Sequence, residues 1–195
     1  MLYIKSRNKQ VGLQEGDITF TRWPRIFPSA FIASVNDGIS HAGIILAFDG
    51  KLYVAEASLS ASPIPDDHFL KNSNGHIIRN GVHAQLVDDS FSRAKKMWVL
   101  RPSTPYTTAQ LDAMKKELKR IMDQTDGENH TYEKSFLSPE YFHALMGWPP
   151  FTHTRYMCSE AVAVLLRAAG RWEHTTSVMP IHIKNRISGE FRRVF

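Results

Sequence analysis

The chain has a single cysteine, Cys158, and its surroundings in the sequence suit nucleophilic chemistry. After it, apolar residues recur at three- and four-residue steps, and Gly170 stands where a helix would end. Thr152 and Thr154 are suitable N-cap residues for such a helix. We therefore expect Cys158 in or next to the first turn, where unpaired N–H groups and the helix dipole favour the nucleophilic thiolate.

A nucleophilic thiolate needs an acid–base partner within hydrogen-bond reach, and an imidazole in that role needs a third group to fix its tautomer. Among nine histidines, His41 stands out because it opens an apolar strand pattern that ends at Phe48. Asp49-Gly50 favours a two-residue hairpin turn, and the return strand carries Glu56. The hairpin places His41 and Glu56 toward the same open end, either as a functional pair or as two solvated strand ends.

Both the cysteine and the histidines also have other interpretations. A lone cysteine is most often a small buried apolar residue. Nine histidines could serve a metal, but the sequence has neither a His-x-x-x-His helix motif nor a Cys-x-x-Cys pair. We predict no metal site and no cofactor.

Further elements must frame the hairpin and the Cys158 helix. A Gly-Asp turn followed by alternating residues predicts a strand over 18–22, and 107–124 predict an amphipathic helix capped by Thr108. The remaining strand candidates are 81–87, 96–101, 179–183 and 191–195. Residues 59–80 indicate a long loop, and 126–151 an irregular, aromatic-rich segment.

Composition limits the class of protein. With 195 residues, 43% apolar and 22% charged, the chain is typical of one globular domain. A net charge of +5 suits a polyanionic partner, but Lys and Arg are scattered, so we expect no nucleic-acid partner. No apolar run approaches about 18 residues, which predicts no transmembrane segment. Residues 1–10 lack the apolar core of a signal peptide, so we expect synthesis in the cytoplasm.

Four motifs, taken in chain order, resemble a known family. They are Gly16-Asp-Ile-Thr-Phe20, Ser40-His-Ala-Gly-Ile-Ile45, Glu56-Ala57 and Tyr156-Met-Cys-Ser-Glu160. They are similar to motifs of the permuted NlpC/P60 branch of the papain-like cysteine peptidases, which includes the lecithin:retinol acyltransferase-like proteins. In the standard NlpC/P60 order the cysteine helix precedes the histidine strand, whereas here the histidine hairpin comes first.

This resemblance implies a fold and a domain organisation. The expected fold is α+β and circularly permuted papain-like, with an antiparallel sheet packed against the helix that carries the cysteine. The framework covers about residues 11–58 and 150–185 of a single catalytic domain over 1–195, with a variable middle region at about 59–151.

The resemblance also implies roles for individual residues. Cys158 matches the nucleophile, His41 the general base and Glu56 the group that orients the imidazole, while Asp17 matches a structural position. The candidate substrate-binding residues are Tyr156, Trp148, Arg22 and Arg155. The segments 59–80 and 132–151 flank the two halves of this site, so we expect them to form the walls of a substrate cleft.

The function implied is a cysteine amidase or endopeptidase that cleaves an amide bond in the stem peptides of bacterial peptidoglycan. Without a signal peptide, such an enzyme fits a secreted antibacterial effector or a phage lysin. Delivery to the periplasm of a target cell by a leaderless route would follow, with an immunity protein or a secretion component as partner. The alternatives are a lipid-directed acyl hydrolase or acyltransferase, and a non-enzymatic binding module on the same fold.

Overall fold

The part of the chain that the computed structural model describes contains eight strands and four α-helices, and six of the strands precede the first α-helix. The described residues are 3–6, 9–22, 38–59, 64–92, 94–124, 146, 156–173, 180–187 and 191–194. The strands are β1 (Tyr3–Ser6), β2 (Lys9–Gly12), β3 (Ile18–Arg22), β4 (His41–Phe48), β5 (Lys51–Leu59), β6 (Asn80–Leu86), β7 (Lys96–Pro102) and β8 (Phe191–Arg193). The helices are α1 (Val87–Ser92), α2 (Thr108–Asp123), α3 (Cys158–Ala168) and α4 (Pro180–Ile187).

A six-stranded antiparallel sheet with the order β6-β5-β4-β3-β7-β8 is the centre of the fold, and β1 and β2 pair separately. The predicted β4–β5 hairpin is confirmed. Its turn residues Asp49 and Gly50 both have positive φ, 50° and 75°, as a two-residue hairpin turn of the I′ type requires. The predicted α+β class is likewise confirmed.

The sheet buries a different set of side chains on each face. One face contributes Phe20, Ile44 and Leu46 to a core that also contains Leu118 of α2 and Leu165 of α3. Each such buried side chain stabilises the fold by about 1.5–3 kcal/mol. A smaller cluster on the other face consists of Leu13, Ile45, Val54, Val87 and Val99. Because the helical core fixes α3 against β4 and β5, it also fixes the position of Cys158.

The helix starts differ by a few residues from the prediction. The N-cap of α2 is Thr107, not Thr108: its hydroxyl accepts from the N–H of Gln110, whose side chain accepts from the N–H of Thr107. The N-cap of α3 is Met157 rather than an upstream threonine, and its N–H donates to the Glu160 carboxylate. Cys158 is thus the first residue of its helix, as expected.

One predicted strand is wrong. The sequence predicted a strand over residues 179–183, but Pro180–Ile187 form the helix α4. Two isoleucines two residues apart cannot separate the two periods over so short a segment, whereas Pro180 fits the first position of a helix. The last predicted strand is confirmed by β8, which pairs with β7.

The middle region adds strands to the same sheet. β6 and β7 are present as predicted, but the six residues after β6 form the unpredicted helix α1. Within the predicted loop 59–80, Asp66–His68 form a 3-10 turn, and Phe69 bridges to Gln85. Of the aromatic-rich segment 126–151, only Met146 is among the described residues. In the part of the chain described, no helix combines the length and apolarity needed to cross a membrane.

Candidate active site

The hairpin register brings His41 and Glu56 together. Gly43 lies directly opposite Glu56, and His41, two residues before Gly43, is the diagonal neighbour of Glu56 on the same face of the sheet. The Nε2 atom of His41 lies 3.0 Å from Oε2 of Glu56, and both side chains are almost completely buried. The predicted contact between the two residues is confirmed.

Gly43, between His41 and Glu56 on this face, leaves room for the side chains of its neighbours. A Cβ atom at this position would lie 2.5 Å from Cγ1 of Val54 and 3.1 Å from Oγ1 of Thr19. A side chain at position 43 would therefore collide with Val54 and crowd Thr19 on the face of the sheet that carries His41 and Glu56.

Cys158 completes the group from the N-terminus of α3. Its side chain lies close enough to the imidazole of His41 to raise the pKa of that ring, and 9% of the residue is exposed. Cysteine, histidine and carboxylate thus form one continuous chain of contacts, with the thiol at its end.

The electrostatics of this group favour a protonated His41. Burial alone would lower the pKa of His41, but the charges of Glu56 and Cys158, and hydrogen bonds to both, raise it to about 10. Burial alone would raise the pKa of Glu56, but the neighbouring imidazoles of His41 and His83 hold it well below its usual range. At neutral pH the pair is an imidazolium beside a carboxylate.

Four further polar side chains surround Glu56. Oε1 accepts from the Ser58 hydroxyl at 3.1 Å and from the Gln85 amide at 2.5 Å, and Oε2 accepts from the Ser90 hydroxyl at 3.2 Å. Nε2 of His83 lies 3.7 Å from Oε1. Sequence reasoning did not identify these partners. The alternation of polar residues along 81–87 was a signal for His83 and Gln85, but nothing in the sequence singled out Ser90.

The start of α3 offers a hydrogen-bond donor beside the thiol. The first N–H groups of a helix have no acceptor within that helix, and the N–H of Cys158 belongs to this set. A donor at this place can bind an oxygen on which negative charge develops when the sulfur attacks a carbonyl. The group therefore combines a nucleophile, a proton donor and an anion-binding N–H.

Asp17, expected to be structural, lies in a different ion pair. It is fully buried, and its carboxylate accepts from the Arg101 guanidinium at 2.8 Å through both oxygens and from the N–H of Gln14 at 2.9 Å. These bonds join the start of β3 to β7 and to the preceding loop. Its contacts are those of a structural residue.

The candidate substrate-binding residues are only partly described. Tyr156 is half-buried and lies close enough to Arg120 of α2 to help raise the pKa of its guanidinium. Arg22 follows Thr21, which pairs with His41, so its side chain leaves the strand on the opposite face and comes near Gly38. Trp148 and Arg155 lie outside the described residues. A role in substrate binding stays a prediction for all four.

Histidine, cysteine and carboxylate side chains can also bind metal ions. Across the described ranges, no three side chains of His, Cys, Asp or Glu are arranged so that they could hold a metal ion. His68, outside the group around Cys158, is half-buried, and its Nδ1 lies 2.8 Å from Oδ2 of Asp89.

Comparison with known proteins shows similarity of fold alone. No family model matches the chain, and no curated protein sequence is similar to it. Among solved structures, the crystal structure of the metalloprotein yiiX from Escherichia coli O157:H7 (DUF1105) has a TM-score of 0.51 at 19% identity. The match covers 80% of this chain and 66% of that one, so the chain spans just under two thirds of that protein's length.

Proposed function

We propose that the chain is a cysteine hydrolase that cleaves an amide bond by acyl transfer, on a circularly permuted papain-like fold of the NlpC/P60 type. The observation that carries the proposal is the buried contact chain from Cys158 through His41 to Glu56. A merely structural cysteine needs neither a protonated imidazole beside it nor a buried carboxylate behind that imidazole. The late position of the cysteine helix, after the histidine hairpin, supports the permuted order.

The proposed reaction begins with Cys158 as thiolate and His41 as imidazolium. The sulfur attacks the amide carbonyl carbon, and the N–H of Cys158 donates to the resulting oxyanion. When the carbon–nitrogen bond breaks, His41 gives its proton to the leaving amine, and a thioester remains on the sulfur.

Water completes the proposed cycle. Neutral His41 takes a proton from a water molecule as the water oxygen attacks the thioester carbon. Collapse of this second intermediate breaks the carbon–sulfur bond and releases the carboxylic acid and the thiolate. Glu56 stays ionised throughout and keeps the imidazole in the orientation that serves both steps.

We take the substrate to be a stem-peptide amide of bacterial peptidoglycan. The net charge of +5 suits an anionic polymer. The amine that leaves when such an amide is cleaved needs a proton, which His41 can supply. An enzyme of this kind would act in the periplasm of a target cell, with an immunity protein as partner in the producing cell.

A mass-spectrometric comparison tests the proposal. Purified peptidoglycan and phospholipid vesicles are each incubated with the wild-type protein and with Cys158→Ala. We expect paired new amine and carboxyl ends in the peptidoglycan treated with wild type, and none with the variant. Release of fatty acid from the vesicles would replace the amidase with the lipid-directed alternative, and no cysteine-dependent product from either would contradict enzymatic function on both.

A further inference from the structure

Glu56 is bonded at every acceptor position that its carboxylate offers. An ionised carboxylate has about four lone-pair sites, two on each oxygen. Oε2 accepts from His41 and Ser90, and Oε1 accepts from Ser58 and Gln85. The three neutral donors come from three different elements, β5, β6 and α1, and all are buried.

Within the described part of the chain, the side chain of Gln85 leaves one of its own polar atoms unpaired in order to contact Glu56. Its side chain is fully buried, and its amide N–H₂ donates to Glu56, while its own carbonyl oxygen has no hydrogen-bond partner among the described residues. A buried acceptor without a partner destabilises the fold, and an apolar side chain would avoid this. The amide is therefore placed for what it donates, and the recipient is the carboxylate that contacts His41.

We infer that Ser58, Gln85 and Ser90 are positioning residues: they keep Glu56 ionised and aimed at His41, and thereby keep His41 protonated beside Cys158. The inference rests on the proposed function, since it assigns these residues to the same thiolate–imidazolium pair. Ser90 has the most direct effect because it shares Oε2 with His41.

The physical argument follows from the charge on the carboxylate. A buried carboxylate that loses a hydrogen-bond donor is held less firmly, so it makes its contact with a neighbouring cation less often. Removing the Ser90 hydroxyl should therefore lower the proton affinity of His41. An imidazolium that is held less firmly beside the sulfur stabilises the thiolate less, so the thiolate of Cys158 should form at higher pH.

The pH dependence of Cys158 alkylation by iodoacetamide measures this without any substrate. Cys158 is the only thiol of the full-length chain, so the measured rate belongs to one residue. Ser90→Ala and Gln85→Leu are compared with wild type and with Ser92→Ala, a control on the same helix whose exposed hydroxyl bonds the Asp89 carbonyl instead. His83, the other titratable side chain placed against Glu56, is left unchanged in every variant.

We expect the acid-side rise in alkylation rate to move to higher pH by about half a unit or more in Ser90→Ala and Gln85→Leu, which is about a threefold lower rate on that limb. Ser92→Ala should keep the wild-type profile, and Ser90→Thr, which retains the hydroxyl, should restore it. If Gln85→Leu does not fold, the comparison of Ser90→Ala with Ser90→Thr decides the outcome.

The alkylation profiles also separate failure of the positioning role from failure of the proposed function. A wild-type profile in folded Ser90→Ala would overturn the positioning role and leave the proposed function standing. A wild-type protein that alkylates like an ordinary thiol would remove the thiolate–imidazolium pair itself, and with it the proposed function.

Discussion

Asp17 and Glu56 are two buried carboxylates of the same sheet region, and they form ion pairs with different partners. Asp17 pairs with the guanidinium of Arg101, which stays charged at any pH the protein meets. Glu56 pairs with the imidazole of His41, which can release its proton. The first pair is a fixed link between β3 and β7, whereas the second holds a transferable proton next to a thiol.

On the proposed function, the Asp17–Arg101 pair serves the fold and the His41–Glu56 pair serves the reaction. A fixed pair contributes geometry, and its removal should change stability without changing the reactivity of the thiol. Removing a titratable pair beside a nucleophile should change the reactivity of the thiol. Variants at each site can therefore separate the two roles.

The largest effect is expected at Cys158, the proposed nucleophile beside His41. Cys158→Ala should lower amide hydrolysis by at least about 10⁴-fold, to the level of a protein-free control, because no other thiol can replace it. The rate of product release, followed by mass spectrometry, measures the loss. An unchanged melting temperature would show that the fold is kept, and residual wild-type hydrolysis would move the nucleophile elsewhere.

Glu56→Gln should lower kcat by about 10²- to 10⁴-fold, because the amide no longer stabilises the imidazolium or selects its orientation. Turnover at saturating substrate measures the change. The control is Glu117→Gln, the same replacement in an exposed ion pair with Arg120, which should leave kcat at the wild-type value. An equal kcat in both variants would return Glu56 to a structural role.

Asp17→Asn tests the fixed pair. It leaves the half-buried Arg101 without its anion and should lower the free energy of unfolding by about 3 kcal/mol, as breaking a buried pair does. Urea unfolding measures the loss, with Asp112→Asn on the exposed side of α2 as control. The folded variant should alkylate at Cys158 at the wild-type rate, and a large fall in that rate would erase the distinction between the two carboxylates.

The sequence predicted the part of the site that depends on local patterns. The β4–β5 hairpin follows from an apolar run, an Asp-Gly turn and a second apolar run, and once the hairpin forms, its register alone sets His41 beside Glu56. The helix that starts at Cys158 follows from its apolar spacing. What brings the thiol to His41 is the packing of α3 on the sheet, which the family resemblance suggested and the periodicity did not.

The contacts that were missed depend on pairings distant in the chain. Gln85 meets Glu56 only because β6 pairs with β5 in a particular register, and Ser90 meets it only because the chain turns into α1 directly after β6. Residues 87–92 carry too few apolar positions to separate a short helix from the end of a strand. The error at α4 has the same origin, since its apolar pattern is equally short.

The smallest expected effect concerns pH, and it separates the two ion pairs within the wild-type protein. His41 has a folded pKa of about 10, above its ordinary value of 6.5, so its contribution to stability is complete below about pH 6.5 and is lost as the pH rises toward 10. Glu56 has a lowered pKa, so its contribution is present above its ordinary value of 4.5 and is lost as the pH falls. The Asp17–Arg101 pair has no corresponding alkaline loss, because the guanidinium keeps its proton.

The rate of amide hydrolysis should follow the alkaline limb of His41, because acylation uses the proton that this residue holds. We expect kcat/KM near pH 10 to be about half of its value at pH 8, and the free energy of unfolding to decline over the same range. In His41→Gln the alkaline decline in stability should disappear, whereas in Asp17→Asn it should remain as in wild type. A decline that persists in His41→Gln would assign the titration to another group and would leave the buried pair without the transferable proton that distinguishes it from Asp17 and Arg101.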